Sequence, residues 1–257
     1  MFRLFQPRRR SPFASQNICC IVKIKEFYQK ERISIEKELN ILVKKLFMAF
    51  IILFGLYYIF LFSHIPESLQ LIFKVIPMLL MIILAAIQKP AHIKKYQLLI
   101  IIGLVFCMVG DYTLQWFLVG LTSFLIGHIF YIFAFSSANE RPIPRWAKII
   151  LLLYGAGMAI WIAGSVFKTG ETILAIAVIA YIAVILTMGW TAIKTGSKFA
   201  TIGALLFIAS DSYLSINKFV MPLPLSHEVI MLTYYSAQLL IALSILQYSE
   251  IRSKVLQ

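Results

Sequence analysis

Four ionisable residues stand inside long apolar runs of this chain: Lys74, Asp111, His128 and Asp211. A charge placed in hydrocarbon is costly, so such positions mark function by default. Two carboxylates sharing a low-dielectric site do not both ionise; one carries a proton and the other does not. A protonated acid beside a carboxylate is the equipment of general acid–base chemistry. Lys74 alone suits a simpler purpose, a static ion pair that specifies how helices pack. One lysine does not cancel two aspartates, however, and the second carboxylate argues for chemistry. His128 argues less, because a lone histidine in a helix is more often a satisfied hydrogen-bonding residue. The sequence holds no Gly-rich phosphate loop, no zinc-ligand cluster and no G-x-S-x-G elbow. Ser210 beside Asp211 does not make a triad by itself, and no metal or organic cofactor is expected.

These residues have to be positioned by membrane spans. The 257 residues are 61% hydrophobic with a mean hydropathy of +0.87, more apolar surface than a soluble core of this size hides. A span takes about 20 mostly apolar residues. The runs place eight, at about 46–63, 69–87, 97–115, 117–138, 146–166, 172–193, 198–217 and 229–247, with a tight turn required at Gln115–Trp116. The expected fold is all-α, a polytopic transmembrane helix bundle. Residues 1–45 read as a basic N-terminal extension, disordered or forming a surface helix over Glu26–Lys45. Residues 46–248 read as the eight-span domain and 249–257 as a short tail. No uninterrupted apolar stretch follows Arg8-Arg9-Arg10, which argues against a cleaved signal peptide. Cys19, Cys20 and Cys107 supply no disulfide framework and no metal-ligand spacing. Cys107 reads as a core residue, and Cys19–Cys20 as a possible lipid anchor.

Charge orients the bundle. Of the 24 Lys and Arg residues, 21 fall on the side of the N-terminus; the opposite loops hold only Lys168 and Lys218. By the positive-inside rule both termini face the cytoplasm. The net charge of +13 is therefore a topology signal rather than a sign of nucleic-acid binding. Ile102, Gly103, Asp111 and Leu114 recur as Ile202, Gly203, Asp211 and Leu214, consistent with a parallel four-span repeat. At about 1.5 Å per residue, Asp111 lies roughly 21 Å above the cytoplasmic start of the third span and Asp211 about 20 Å up the seventh. Lys74 lies about 8 Å below the far surface. Three charges from three helices thus share one layer, with Tyr234, Tyr235 and Gln238 near it and His128 closer to mid-membrane.

At these residues the chain resembles the eight-span lysoplasmalogenase family, also called the YhhN family. The matching stretches are Lys74–Pro77 (K-x-x-P), Gly110-Asp111 and His128–Tyr131 within GHIFYIFAF. Stronger ones are Ser210-Asp211, Asn217-Lys218-Phe219 and TYYSAQLLIALS at 233–244. Together they run from about Leu46 to Gln247. The resemblance implies hydrolysis of lysoplasmalogen by water to a fatty aldehyde and a glycerophospho-base, with Asp111 and Asp211 as catalytic carboxylates. Lys74, His128, Tyr131, Asn217, Lys218, Tyr234, Tyr235 and Gln238 are the expected supporting residues, with Lys218 or Lys74 for the lipid phosphate. The expected partners are the lipid substrate, water and the bilayer, and the default location is the endoplasmic reticulum membrane. The competing reading is a proton-coupled lipid or solute transporter, since intramembrane carboxylates also carry protons. The sequence shows no pair of Gly/Pro-broken helices at equivalent repeat positions.

Overall fold

In hydrocarbon every backbone amide needs an internal partner, and the helix supplies one within each segment. The computed structural model describes residues 12–90, 93–138 and 141–255, with side chains at 12–28, 33, 37, 40 and 255 left aside. Among the described residues the regular structure is entirely helical. Helix α1 runs Pro12–Phe60, and a 3₁₀ turn follows at Phe62–His64. Then come α2 (Glu67–Ile87), α3 (Lys94–Thr113) and α4 (Phe117–Ser137). Helix α5 (Arg145–Lys168) carries a π-helical turn at Ala159–Ala163. The last three are α6 (Thr172–Lys194), α7 (Lys198–Phe219) and α8 (Ser226–Val255). Among the described residues eight helices are long and apolar enough to cross a membrane, the first candidate being Gln29–Phe60. The chain is a multi-pass, all-α membrane protein. The arginine cluster at 8–10 and the side chains of Cys19 and Cys20 lie outside the described residues.

Two units are distinguished, Met1–Leu46 and Phe47–Gln257. In the first, the described side chains from Gln29 to Glu36 are all exposed. In the second, the tightest helix pairs are consecutive, α3 on α4 and α7 on α8, with α4 also packed on α6 and α2 on α3. Large apolar side chains cover the outside as well as the core: Ile173 is 81% exposed and Ile160 77%. Such a surface is unfit for water and suited to lipid.

Local chemistry explains the closest approaches. The α3–α4 turn spans only residues 114–116, and a Cβ on Gly120 would sit 2.7 Å from the Leu114 Cα. Only glycine admits a turn that tight. Small residues let membrane helices approach closely, and Gly103 does this for α3 and α4. A Cβ there would lie 2.3 Å from the Tyr131 ring, whose hydroxyl donates to Gln238 Oε1 at 2.7 Å. Gly103→Ala is therefore expected to displace a buried ring and to cost about 1–3 kcal/mol of stability. A lowered thermal midpoint in detergent checks this; an unchanged midpoint contradicts the close contact. Helix α7 starts where Ser197 accepts the Ala200 N–H on its hydroxyl, a side-chain N-cap.

Candidate functional site

The site is assembled from the ends of α2, α3, α6, α7 and α8 that lie toward the α3–α4 turn. Lys74 stands on α2 one turn before Pro77, a proline inside the helix. Proline lacks an N–H, so the carbonyl four residues earlier loses its helical donor and the helix loosens there. The neighbouring Lys74 carbonyl accepts the Tyr235 hydroxyl at 2.8 Å. Tyr234, the preceding residue on α8, points to a different neighbour because successive helical residues are about 100° apart. Its hydroxyl donates to Asp111 Oδ2 at 2.6 Å. Two adjacent tyrosines thus tie α8 to α2 and to α3.

Asp111 is 3% exposed, and its Oδ1 lies 3.3 Å from the Lys74 ammonium. Lys74 Nζ also donates to the Asp111 backbone carbonyl at 3.3 Å. Both carboxylate oxygens are therefore occupied, one by a cation and one by a hydroxyl. Asp211, on α7, is partly buried, and its Oδ2 accepts the hydroxyl of Tyr181 from α6. Its neighbour Ser210 donates to the Ile230 carbonyl at 3.0 Å, tying α7 to α8.

Both aspartates, Lys74, Tyr181, Ser210 and Tyr234 line one pocket. Most of its wall is apolar, built from residues such as Leu121, Phe124, Val178 and Phe219. The pocket is thus amphipathic, a polar patch inside a hydrocarbon-lined chamber. That departs from the wholly polar cavity that a pair of charges suggests. The lining extends through Leu114, Phe117 and Phe219, toward the bundle end where α3 and α7 terminate.

The remaining sequence-derived candidates fall into three places. His128 is fully buried among Phe207, Tyr181 and Tyr131, with ring centroids 4.5, 5.4 and 6.4 Å away. Neither of its ring nitrogens has a protein hydrogen-bond partner. Tyr131 and Gln238 bond to each other at zero exposure, and with His128 they lie behind the pocket rather than on its wall. Asn217 accepts the Leu223 N–H at 2.8 Å on Oδ1, fixing the loop between α7 and α8. Lys218 places its ammonium 4.5 Å from the centroid of the Phe117 ring, a cation–π contact at the pocket's outer end.

Tyr181 is the residue that sequence reasoning missed. A signal was present: a lone tyrosine in the otherwise apolar run from Thr172, nine residues or about 14 Å from the start of that run. A hydroxyl at that depth needs a protein partner. Among the described residues no three His, Cys, Asp or Glu side chains cluster as metal ligands would. A pocket with two carboxylates, one held by a cation and one by a hydroxyl, and with hydrocarbon walls suits acid–base chemistry on an amphiphile.

Human lysoplasmalogenase TMEM86B is 36% identical over 148 residues, 56% of this chain and 62% of that protein. Bovine lysoplasmalogenase TMEM86A is 36% identical over 167 residues, 59% of this chain and 66% of that protein. Human lysoplasmalogenase TMEM86A is 35% identical over 166 residues, with the same shares. The matches thus span a little under two thirds of these relatives' length. No solved structure matches the chain. The YhhN family model matches residues 69–245, a stretch that holds every pocket residue named above, and the chain belongs to the YhhN family.

Proposed function

We propose that this protein is a membrane lysoplasmalogenase, an ether hydrolase that cleaves the vinyl-ether bond of alkenyl-glycerophospholipids with Asp111 and Asp211. The observation that carries the reading is the single amphipathic pocket lined by both aspartates. The names of the relatives supply the substrate class.

The partners of each aspartate divide the roles. The Lys74 ammonium supplies Asp111 with a countercharge, so Asp111 serves as the carboxylate. Asp211 is bonded by a neutral hydroxyl on Oδ2, which leaves Oδ1 to hold a proton, and it serves as the acid. Asp211 gives its proton to the vinyl carbon distal to the ether oxygen, leaving an oxocarbenium ion on the adjacent carbon. Asp111 stabilises that cation and takes a proton from water as the water oxygen bonds to it. The resulting hemiacetal collapses. Asp111 returns its proton to the departing glyceryl oxygen, Asp211 takes the hemiacetal hydroxyl proton, and fatty aldehyde leaves. Both groups end as they began. Glycosidases pair two carboxylates around a comparable cation, although they protonate oxygen. Lys218, at the outer end of the pocket, faces the headgroup phosphate.

The deciding experiment is aldehyde release from lysoplasmalogen by purified protein in detergent. Release that depends on both aspartates supports the reading; no release from folded protein, with proton-coupled solute uptake in vesicles, replaces it with transport. Tyr181→Phe removes one hydrogen bond to Asp211 and nothing else. It is expected to lower kcat by about 10- to 100-fold, the scale of a hydrogen bond to the carboxylate that forms as Asp211 gives up its proton, while leaving KM nearly unchanged. A rise in KM at constant kcat would make Tyr181 a contact to substrate instead.

The reading includes topology: both termini in the cytoplasm, the pocket opening toward the opposite face, and the endoplasmic reticulum as the host membrane. A cysteine introduced at Glu171→Cys is expected to be labelled from the non-cytoplasmic side and a C-terminal tag from the cytoplasmic side. The reverse pattern inverts the orientation.

A further inference from the structure

We propose that the groove between α5 and α6 is a binding site for the hydrocarbon chain of a single-chain lipid, running from the bilayer-facing surface to Asp211. The proposal deepens the reading above and rests on it for the identity of the reacting bond. Three spaces lie side by side, each sharing wall residues with the next. The pocket holding both aspartates shares Tyr181, Ile182, Asp211 and Ser215 with a smaller cavity. That cavity in turn shares Ile182 and Leu186 with a groove on the bundle surface. A hydrogen bond of 2.6 Å between Tyr154 and Ser212 spans the junction, one residue beyond Asp211.

The groove has the chemistry of a chain site. Gly155, Ala156 and Ala159 of α5 face Ala183 of α6 across it. Small residues bring membrane helices into contact, as Gly155 does here, where a Cβ would lie 2.2 Å from Leu186 Cδ1; beside that contact the exposed Ala156 and Ala183 leave a trough. Thr187 turns its hydroxyl back onto the Ala183 carbonyl at 2.7 Å and so presents its methyl side to the groove. The direction also fits. Along α6 the groove lining runs from Ile179 to Trp190, about 16 Å, and most of it lies beyond Asp211's partner Tyr181 on the side away from the end where the pocket lining extends. A lipid with its headgroup at that end and its ether at the aspartates would send its chain this way.

The test uses the full chain in detergent and a lysophosphatidylcholine carrying a diazirine at the end of its acyl chain. Labelling is expected on the α5 and α6 groove walls. Ala156→Phe and Ala183→Phe, both at exposed positions, should each reduce it on the order of tenfold, the scale of forcing a ring into an occupied apolar site. Leu153→Phe, exposed on α5 but off the groove, should not. A second arm follows KM for lysoplasmalogens of long and short alkenyl chain. Both groove variants should raise KM for the long chain about tenfold more than for the short one. Labelling displaced equally by diacyl phospholipid, or equal in all three variants, would identify ordinary surrounding lipid and overturn the proposal. Equal kinetic effects at every chain length would overturn it as well. If the wild type releases no aldehyde while groove labelling and its loss persist, the chain site stands and the hydrolase reading fails.

Discussion

Asp111→Asn and Asp211→Asn are each expected to lower aldehyde release from lysoplasmalogen by about 10³-fold or more, at the upper end of what a positioned acid or base contributes. Each substitution preserves shape and removes the ability to exchange a proton. The cycle needs both groups, since Asp211 regains its proton from a hemiacetal hydroxyl that forms only once Asp111 has taken the other proton of the water. Residues that act as one unit are strongly non-additive. The double variant should therefore be hardly slower than either single one. Two losses that multiply would mean that the aspartates act in separate steps or on separate ligands, and would end the paired mechanism. Monodisperse elution and an unchanged thermal midpoint for Asp211→Asn distinguish lost chemistry from lost fold.

Lys74→Met is expected to act chiefly through stability. It strips the one contacting cation among the described residues, at 3.3 Å, from a carboxylate that is 3% exposed. Tyr234 remains to bond Oδ2. Breaking a buried ion pair from one side costs about 3–5 kcal/mol because the surviving charge is left uncompensated. The thermal midpoint should fall clearly, and turnover with it. The decisive comparison is Lys74→Met combined with Asp111→Asn. With both charges gone the midpoint should recover most of the loss, while turnover stays abolished. A double variant as unstable as Lys74→Met alone would show that the lysine's hydrocarbon stem, rather than its charge, holds α2 in place.

The number of helices and the layer of charge were legible in the sequence because the membrane makes each of them one-dimensional. An apolar run of set length has to become a helix, since lipid offers its amides no other partner. A helix climbs by a constant rise, so counting residues put Lys74, Asp111 and Asp211 at one depth, and the structure brings all three to one pocket. Counting gives no rotation about a helix axis and no choice of neighbour. For that reason only the tertiary structure decided that Lys74 pairs with Asp111 and that Asp211 is served by Tyr181 from α6. Likewise it put Gln238 behind the pocket on Tyr131, while Tyr234, one turn away, reaches the carboxylate. The same limit hid the groove. Ala156 and Ala183 are small enough to seat close-packed helices, yet both are exposed. Whether two small-residue faces meet or stand apart depends on how the remaining helices hold α5 and α6, and that is a property of the assembled bundle.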